Sequence, residues 1–204
     1  MLKDLVLKNR SYRGFDESYK FTREQLLEYV DTARLTASSV NLQPLKYFVA
    51  CDKETVDLIQ SMTGWANALP NLTIPHDGKH PTAFIIICQD TSVSANMTRF
   101  LKDVGIVAQT ILLMATEEGL GGCMIGNFKS SEVKEKLGLS DNIEPMLVVA
   151  LGKPDEEVVL VDVPESGKTN YYRDENDVHY VPKRKLSDIV INWKNKFLLR
   201  FIYS

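Results

Sequence analysis

Four stretches of the chain carry groups able to hold a charged, flat ligand. The first is Asn9-Arg10-Ser11-Tyr12-Arg13-Gly14-Phe15-Asp16, with two arginines three residues apart around a serine. An arginine fork suits a phosphate or a planar ring bearing oxygens, although two surface arginines can equally be solvated. The second is Thr36-Ala37-Ser38-Ser39-Val40-Asn41-Leu42-Gln43-Pro44. Its Ser and Asn side chains bond nearby backbone and so break helices and build turns. Pro44 cannot continue a helix and is expected to hold Gln43 extended. This loop is either a plain helix-to-strand connection or a ligand loop offering hydroxyls and amides to a polar heterocycle. The third stretch, Gly119 to Phe128, holds four glycines. They let backbone N–H groups approach a flat ligand, or they serve a tight turn. It is not the dinucleotide fingerprint, because Met124 stands where the third glycine belongs. The fourth is Pro182-Lys183-Arg184-Lys185, either a phosphate clamp or a solvated basic face.

Other chemistries find no support. His76, His80 and His179 lack metal-ligand spacing, and no Ser/His/Asp set follows from residue order. Cys51, Cys88 and Cys123 each lie beside or within an apolar run, which reads as reduced, buried thiols of a cytosolic protein. Nothing near them would lower a thiol pKa and make a nucleophile. What remains is a set of groups suited to a flat, phosphorylated cofactor that does the hard chemistry itself. At 204 residues the chain is one domain with a sizeable core. A net charge of −3 gives no reason to expect nucleic acid or an anionic membrane surface. No apolar run reaches the ~20 residues of a membrane-spanning helix. Residues 1–10 are interrupted by charge too often for a signal peptide.

The elements that must position these groups follow from periodicity. Thr22 opens a helix, with Gln25 completing a capping box and Phe21 and Leu26 forming a hydrophobic staple. Leu26, Leu27, Val30, Ala33 and Ala37 line its apolar face. Tyr47–Cys51 predicts a strand and Glu54–Met62 a short helix. Residues 64–81 lack periodicity, and their Trp65 could cover a ligand or pack on the core. Ala83–Cys88 is a continuous apolar strand buried on both faces. The longest helix runs from about Thr98 to Glu118, with Phe100, Val104, Val107, Ala108, Ile111, Leu112 and Ala115 along one wide stripe. Such breadth implies burial against sheet and helix, or against a second subunit. Gly119-Leu120 ends it as a Schellman pair. Ser130 or Ser131 caps another helix ending at Gly138-Leu139. Met146–Leu151 is a second buried strand and Val158–Val161 an edge strand. Residues 164–180 read as a polar, aromatic loop, and Leu186–Asn192 as a short helix. The apolar tail 193–204 is expected to pack on a partner subunit.

Arg10-Ser11-Tyr12-Arg13, Ser38-Ser39-Val40-Asn41-Leu42-Gln43-Pro44, Asp103-Val104-Gly105, Gly119-Leu120-Gly121-Gly122-Cys123 and Pro182-Lys183-Arg184 together resemble the nitroreductase family of FMN-dependent oxidoreductases. All five occur in family order, and the likeness covers about residues 5–191. It implies an α+β fold, a mixed and mostly antiparallel sheet wrapped by helices, in an intertwined homodimer built on the long helix. Arg10, Ser11 and Arg13 would hold the phosphate side and the pyrimidine edge of FMN. Ser38, Ser39 and Asn41 would reach the flavin bound mainly to the other subunit, with Gln43 close by. The backbone of Met124, Ile125 and Gly126 would lie along the ring with an N–H near N5, and Lys183 and Arg184 would bind the phosphate. The chain departs from the family's usual arginine at Asn9, proline at Ala37 and tryptophan at Leu45. Gly126 and Asn127 also differ from well-known members, which bears on the substrate pocket.

The resemblance implies a cytoplasmic enzyme that takes hydride from NAD(P)H, a transient reductant, and passes it through flavin N5 to a small electron-poor acceptor. A nitroaromatic, quinone or activated alkene would serve. No protein acid or base is required, and cationic Arg13 would stabilise negative charge on the reduced ring. Alternatives are a flavin-binding storage or sensor protein without turnover, and a fold that has lost flavin.

Overall fold

The computed structural model of the protein describes residues 1–66, 69 and 71–191. Two compact units divide it, Met1–Glu156 and the chain from Glu157 onward. The first unit begins with α1 (Leu2–Lys8), β1 (Phe15–Asp16), α2 (Arg23–Ala33), β2 (Leu45–Ala50) and α3 (Lys53–Ser61). It continues with β3 (Ala83–Asp90), α4 (Leu101–Glu117), β4 (Gly121–Ile125), α5 (Ser130–Lys136) and β5 (Ile143–Pro154). β3 pairs β2 on one side and β5 on the other, and β5 also pairs β4 and β1. Every one of these ladders is antiparallel.

Every residue of β3 is buried, as its unbroken apolar run requires. Because side chains alternate across a strand, Ile85 and Ile87 enter one core with residues of α2 and α4. Phe84, Ile86 and Cys88 enter the other, with residues of α3 and α5. Fully burying each of these large side chains contributes roughly 1.5–3 kcal/mol. The predicted stripe of α4 is buried at all seven positions, Phe100, Val104, Val107, Ala108, Ile111, Leu112 and Ala115. Gly119, at φ +77°, closes this helix, and the Leu120 N–H bonds Ala115 O at 2.8 Å. That is the Schellman pattern the sequence signals.

Several details differ from expectation. α2 is capped by Thr22, which accepts from the Gln25 N–H at 3.1 Å. The Gln25 side chain does not return to the cap; it bonds Tyr19, Tyr29 and Glu118. Tyr29 takes the core position expected of Leu27, which is exposed, and Ala37 lies beyond the helix. α5 has no serine side-chain cap, since its N-cap is Lys129 and Ser130 Oγ donates to Glu144. Residues 121–125, expected to be turn or ligand loop, form β4 in full register with Val148–Gly152. Glycine here permits close packing. A Cβ on Gly122 would stand 2.1 Å from Ala150 O, and one on Gly121 would stand 2.5 Å from the Tyr12 ring.

The second unit carries β6 (Val158–Asp162), β7 (Tyr172–Arg173), β8 (His179–Lys183) and α6 (Leu186–Ile189). β8 pairs β6 in parallel and β7 antiparallel. The polar, aromatic stretch is therefore partly strand, held where Tyr172 and Tyr180 face each other across β7 and β8. Their rings stack with centroids 5.0 Å apart. His179 is buried in β8 and not in a loop. The tail 193–204 lies outside the described residues. Among the described residues no helix is long and apolar enough to cross a membrane.

The two kinds of glycine separate by experiment. Gly122→Ala should destabilise the protein by about 1–3 kcal/mol, the usual range for overpacking. Gly126→Ala, whose Cβ would meet nothing within 4 Å, should stay within about 0.5 kcal/mol. Urea unfolding of both variants checks this, and equal losses would refute the packing role of Gly122.

Candidate functional site

The loop between α2 and β2 is built on a buried acid. Asp103, in the first turn of α4, is 2% exposed and sits in an otherwise apolar stripe. Its carboxylate accepts from Ser38 Oγ at 2.7 Å, Ser39 N at 2.8 Å and Ser39 Oγ at 2.7 Å. Burial alone would push this carboxyl up. The hydrogen bonds from Ser39 and Ser38 outweigh burial and hold it below the usual carboxylate value. Ser38 Oγ also accepts from the Gln43 N–H at 3.1 Å, and Gln43 Nε2 donates to Asn41 Oδ1 at 3.1 Å.

Between these anchors the backbone is strained. Val40, Asn41 and Gln43 have φ of +51°, +54° and +51°. Gln43 is therefore left-handed and not extended as its place before Pro44 predicts. Left-handed geometry costs an L-residue about 1–2 kcal/mol, and a β-branched valine is especially unsuited to it. Hydrogen bonds to a charged partner contribute about 1.5–3 kcal/mol each. The three bonds to Asp103 thus match the strain in size. The two serine hydroxyls predicted to face a ligand donate to Asp103, while Val40, Asn41, Leu42 and Gln43 are exposed. The signal for Asp103 in the sequence is a lone acid inside an apolar helical face, which by itself assigns no role.

A second group of predicted residues gathers at β4. Ser11 bridges Gly122, and the Tyr12 N–H bonds Gly122 O at 3.0 Å, so Arg10–Arg13 runs beside this strand. Arg10 Nη2 donates to Val6 O at 2.5 Å, while its Nε is buried with no hydrogen-bond partner. Arg13 Nη1 donates to Ser11 O at 3.1 Å, and the Arg13 N–H is held by Glu156. Beyond β4, Gly126 is exposed. The next residues are fixed by the Thr63–Phe128 bridge and by the Gly64 N–H bonding Asn127 O at 2.8 Å. Trp65 belongs to this supporting loop, with Nε1 donating to Thr63 Oγ1 at 3.0 Å and its ring against the core.

The two groups stand apart in one chain. Ile125, Val148, Ile86 and Phe48 form one row across β4, β5, β3 and β2. At about 4.8 Å per strand, β4 and β2 are roughly 14 Å apart. In the second unit Lys183 ends β8 and Arg184 follows it; both side chains are exposed and form no ion pair among the described residues.

The remaining reactive residues are quiet. All three cysteines are free, and burial raises each thiol pKa, that of Cys88 to about 12. His80 Nδ1 lies 2.8 Å from Glu17 Oε1, and no group of metal-ligating residues exists among the described residues.

This antiparallel α+β unit, with basic and amide-bearing loops at separate edges of its sheet, is the frame of a known family. The chain belongs to the nitroreductase family, whose profile matches residues 6–71 and 74–153. It is 26% identical over 158 residues to a candidate NADH dehydrogenase/NAD(P)H nitroreductase of Archaeoglobus fulgidus, covering 75% of this chain and 85% of that protein. It is 28% identical over 167 residues to the NADPH-flavin oxidoreductase of Vibrio harveyi, covering 75% of this chain and 65% of that protein. In fold it is similar to a nitroreductase family protein of Streptococcus pneumoniae TIGR4. The TM-score is 0.67 at 17% identity, over 95% of this chain and 100% of that one.

The raised thiols set an expectation. Native protein treated with iodoacetamide at pH 7 should alkylate slowly, because little thiolate exists below a raised pKa. Half-buried Cys51 should react first as pH rises, and all three should react in urea. Mass spectrometry reads this out; rapid native labelling of Cys88 or Cys123 would contradict it.

Proposed function

We propose that the chain is an FMN-dependent NAD(P)H oxidoreductase in which residues 1–204 act as one cofactor-binding domain within a homodimer. The observation that carries this reading is the Arg10–Arg13 segment running beside β4, whose end opens at Gly126. The buried, unpaired Arg10 Nε–H lacks an acceptor, and phosphate oxygens and ring carbonyls are acceptors. FMN, when bound, would supply the redox chemistry, transfer of hydride from NAD(P)H to an electron-poor acceptor such as a nitroaromatic, quinone or activated alkene.

The chain's own residues bind and orient. Arg10, Ser11 and Arg13 hold the phosphate side and the pyrimidine edge. The backbone of Met124, Ile125 and Gly126 lies along the ring, and Gly126, lacking a side chain, keeps that approach open. Lys183 and Arg184 hold phosphate by charged hydrogen bonds. Ser38, Ser39, Asn41 and Gln43 wall the site bound mainly to the second copy. Two features support this shared arrangement: the separation of the loop from β4 within one chain, and the exposure of several large apolar side chains. Leu27, Leu35, Val40, Leu101 and Ile106 are all exposed on α2, α4 and the loop between α2 and β2, and a partner would cover them.

The first test is the visible spectrum of the purified protein, followed by anaerobic NADPH or NADH. A flavin spectrum that bleaches quickly is expected. One that persists would favour flavin storage or sensing, and a colourless protein that cannot be loaded with FMN would remove the cofactor reading. Arg184→Ala should weaken FMN binding by about 1.5–3 kcal/mol, the range for a hydrogen bond to a charged group; unchanged affinity would remove that assignment. Asn41→Ala and Arg13→Ala should each impair FMN binding, and mixed dimers of the two should regain one intact site. Absence of rescue would argue against a site shared between copies.

A further inference from the structure

We infer that Asp103 is a positioning residue: its buried carboxylate holds the 38–43 loop in the shape that faces the cofactor. The inference rests on reading that loop as one wall of the FMN site. All three groups bonded to Asp103 are donors, Ser38 Oγ–H, Ser39 N–H and Ser39 Oγ–H. An ionised carboxylate accepts them all, whereas a protonated one brings a further O–H into a place already filled with donors. One serine hydroxyl must then turn away.

That loss reaches the far end of the loop. Ser38 Oγ donates to Asp103 and at the same time accepts from the Gln43 N–H at 3.1 Å. Gln43 N–H, Ser38 hydroxyl and Asp103 carboxylate thus form one relay that closes the loop across Val40 and Asn41. Both anchors hold the left-handed residues Val40, Asn41 and Gln43 in place. With the carboxylate neutralised, the strain at Val40 and Gln43 loses its counterweight and the loop relaxes. Asp103 itself never needs to touch the cofactor.

Few other charges face this carboxylate. Lys102 is its neighbour on α4. Asp103 lines a cavity of about 130 Å³ with residues that include Arg34, Thr36, Gln43 and Tyr47. Arg34, which follows α2, is ion-paired with Asp31 at 2.5 Å, and burial pushes the Tyr47 hydroxyl up to about 12. The Asp103 pKa lies below its ordinary value, so the loop is fully held at neutral pH and released only as pH falls through that lowered range.

The experiment is FMN titration of apo protein, read by quenching of flavin fluorescence, for wild type, Asp103→Asn, Ser39→Ala and Tyr29→Phe between pH 4 and 8. Thermal melting of each variant accompanies it. Tyr29→Phe removes a part-buried hydrogen bond to Glu118, about 22 Å along α4 from Asp103 at 1.5 Å per residue. It controls for simple destabilisation. At pH 7 Asp103→Asn should bind FMN at least about tenfold more weakly, as loss of charged hydrogen bonds implies. Ser39→Ala should lie between it and wild type, and Tyr29→Phe should bind as wild type does. The wild-type advantage over Asp103→Asn should persist from pH 4 to 8, because the carboxyl loses its charge only below that range. If wild type binds no FMN, the cofactor reading itself fails. If wild type binds but Asp103→Asn matches it across the pH range, or Tyr29→Phe loses as much affinity, the positioning role is overturned. Should Asp103→Asn fail to fold, Ser39→Ala decides alone, and unaltered affinity there has the same meaning.

Discussion

β5 is the constraint on which the site depends. Among the described residues it pairs with β3, β4 and β1 alike. Through β3 and β2 its register sets where the chain emerges from the 38–43 loop. Through β4 and β1 it sets where Arg10–Arg13 and Gly126 stand. Sheet ladders are discrete, and a slip of one residue would turn every buried side chain of β5 to the wrong face. Val148 and Ala150 fill one core and Val149 and Leu151 the other, so a slip would exchange side chains of different size between two close-packed cores. The spacing between the two loops therefore follows from hydrophobic burial, before any polar group is considered.

Close approach is the second requirement. The Arg10–Arg13 segment can lie against β4 because Gly121 leaves room for the Tyr12 ring. Gly152 does the same for Phe15, whose ring atom would stand 2.4 Å from an added Cβ. The Tyr12 hydroxyl then donates to Lys8 O at 2.9 Å, tying the segment back to α1. The arginines are aimed by a tyrosine and a phenylalanine fitted over glycines. Side chains with long flexible stems carry large rotamer entropy, and a fixed backbone beneath them reduces what must be ordered when a ligand arrives.

The sequence made the fold legible where periodicity was strong. The β3 run, the α4 stripe and the Gly119-Leu120 stop depend on local pattern alone, and each appears where expected. β4 was not legible, because its glycines lower strand propensity and their reason is tertiary: Tyr12, Leu112 and Ala150 need the space. Leu27 was assigned to the core by spacing, but Tyr29 fills that place because its hydroxyl finds Glu118 at 2.6 Å. Within the candidate site, residue types revealed the arginines and the amides. The donor direction of Ser38 and Ser39 was hidden, since Asp103 lies about 65 residues downstream and only the fold joins them.

The separation of roles in the chain is consistent at every level. The Cys88 and Cys123 thiols are buried with raised pKa, and His80 is engaged by Glu17. The buried acid Asp103 is consumed in shaping a loop. What the protein offers outward is instead donor groups on rigid backbone and a loop held under strain by a charge. Strained loops persist where surrounding structure overdetermines them, and they gather at binding sites. The proposed exchange of a nicotinamide and an acceptor at one site would gain from this division. In that reading orientation comes from a loop held under strain, charge comes from the arginines and lysine, and the reactive step is left to the bound group.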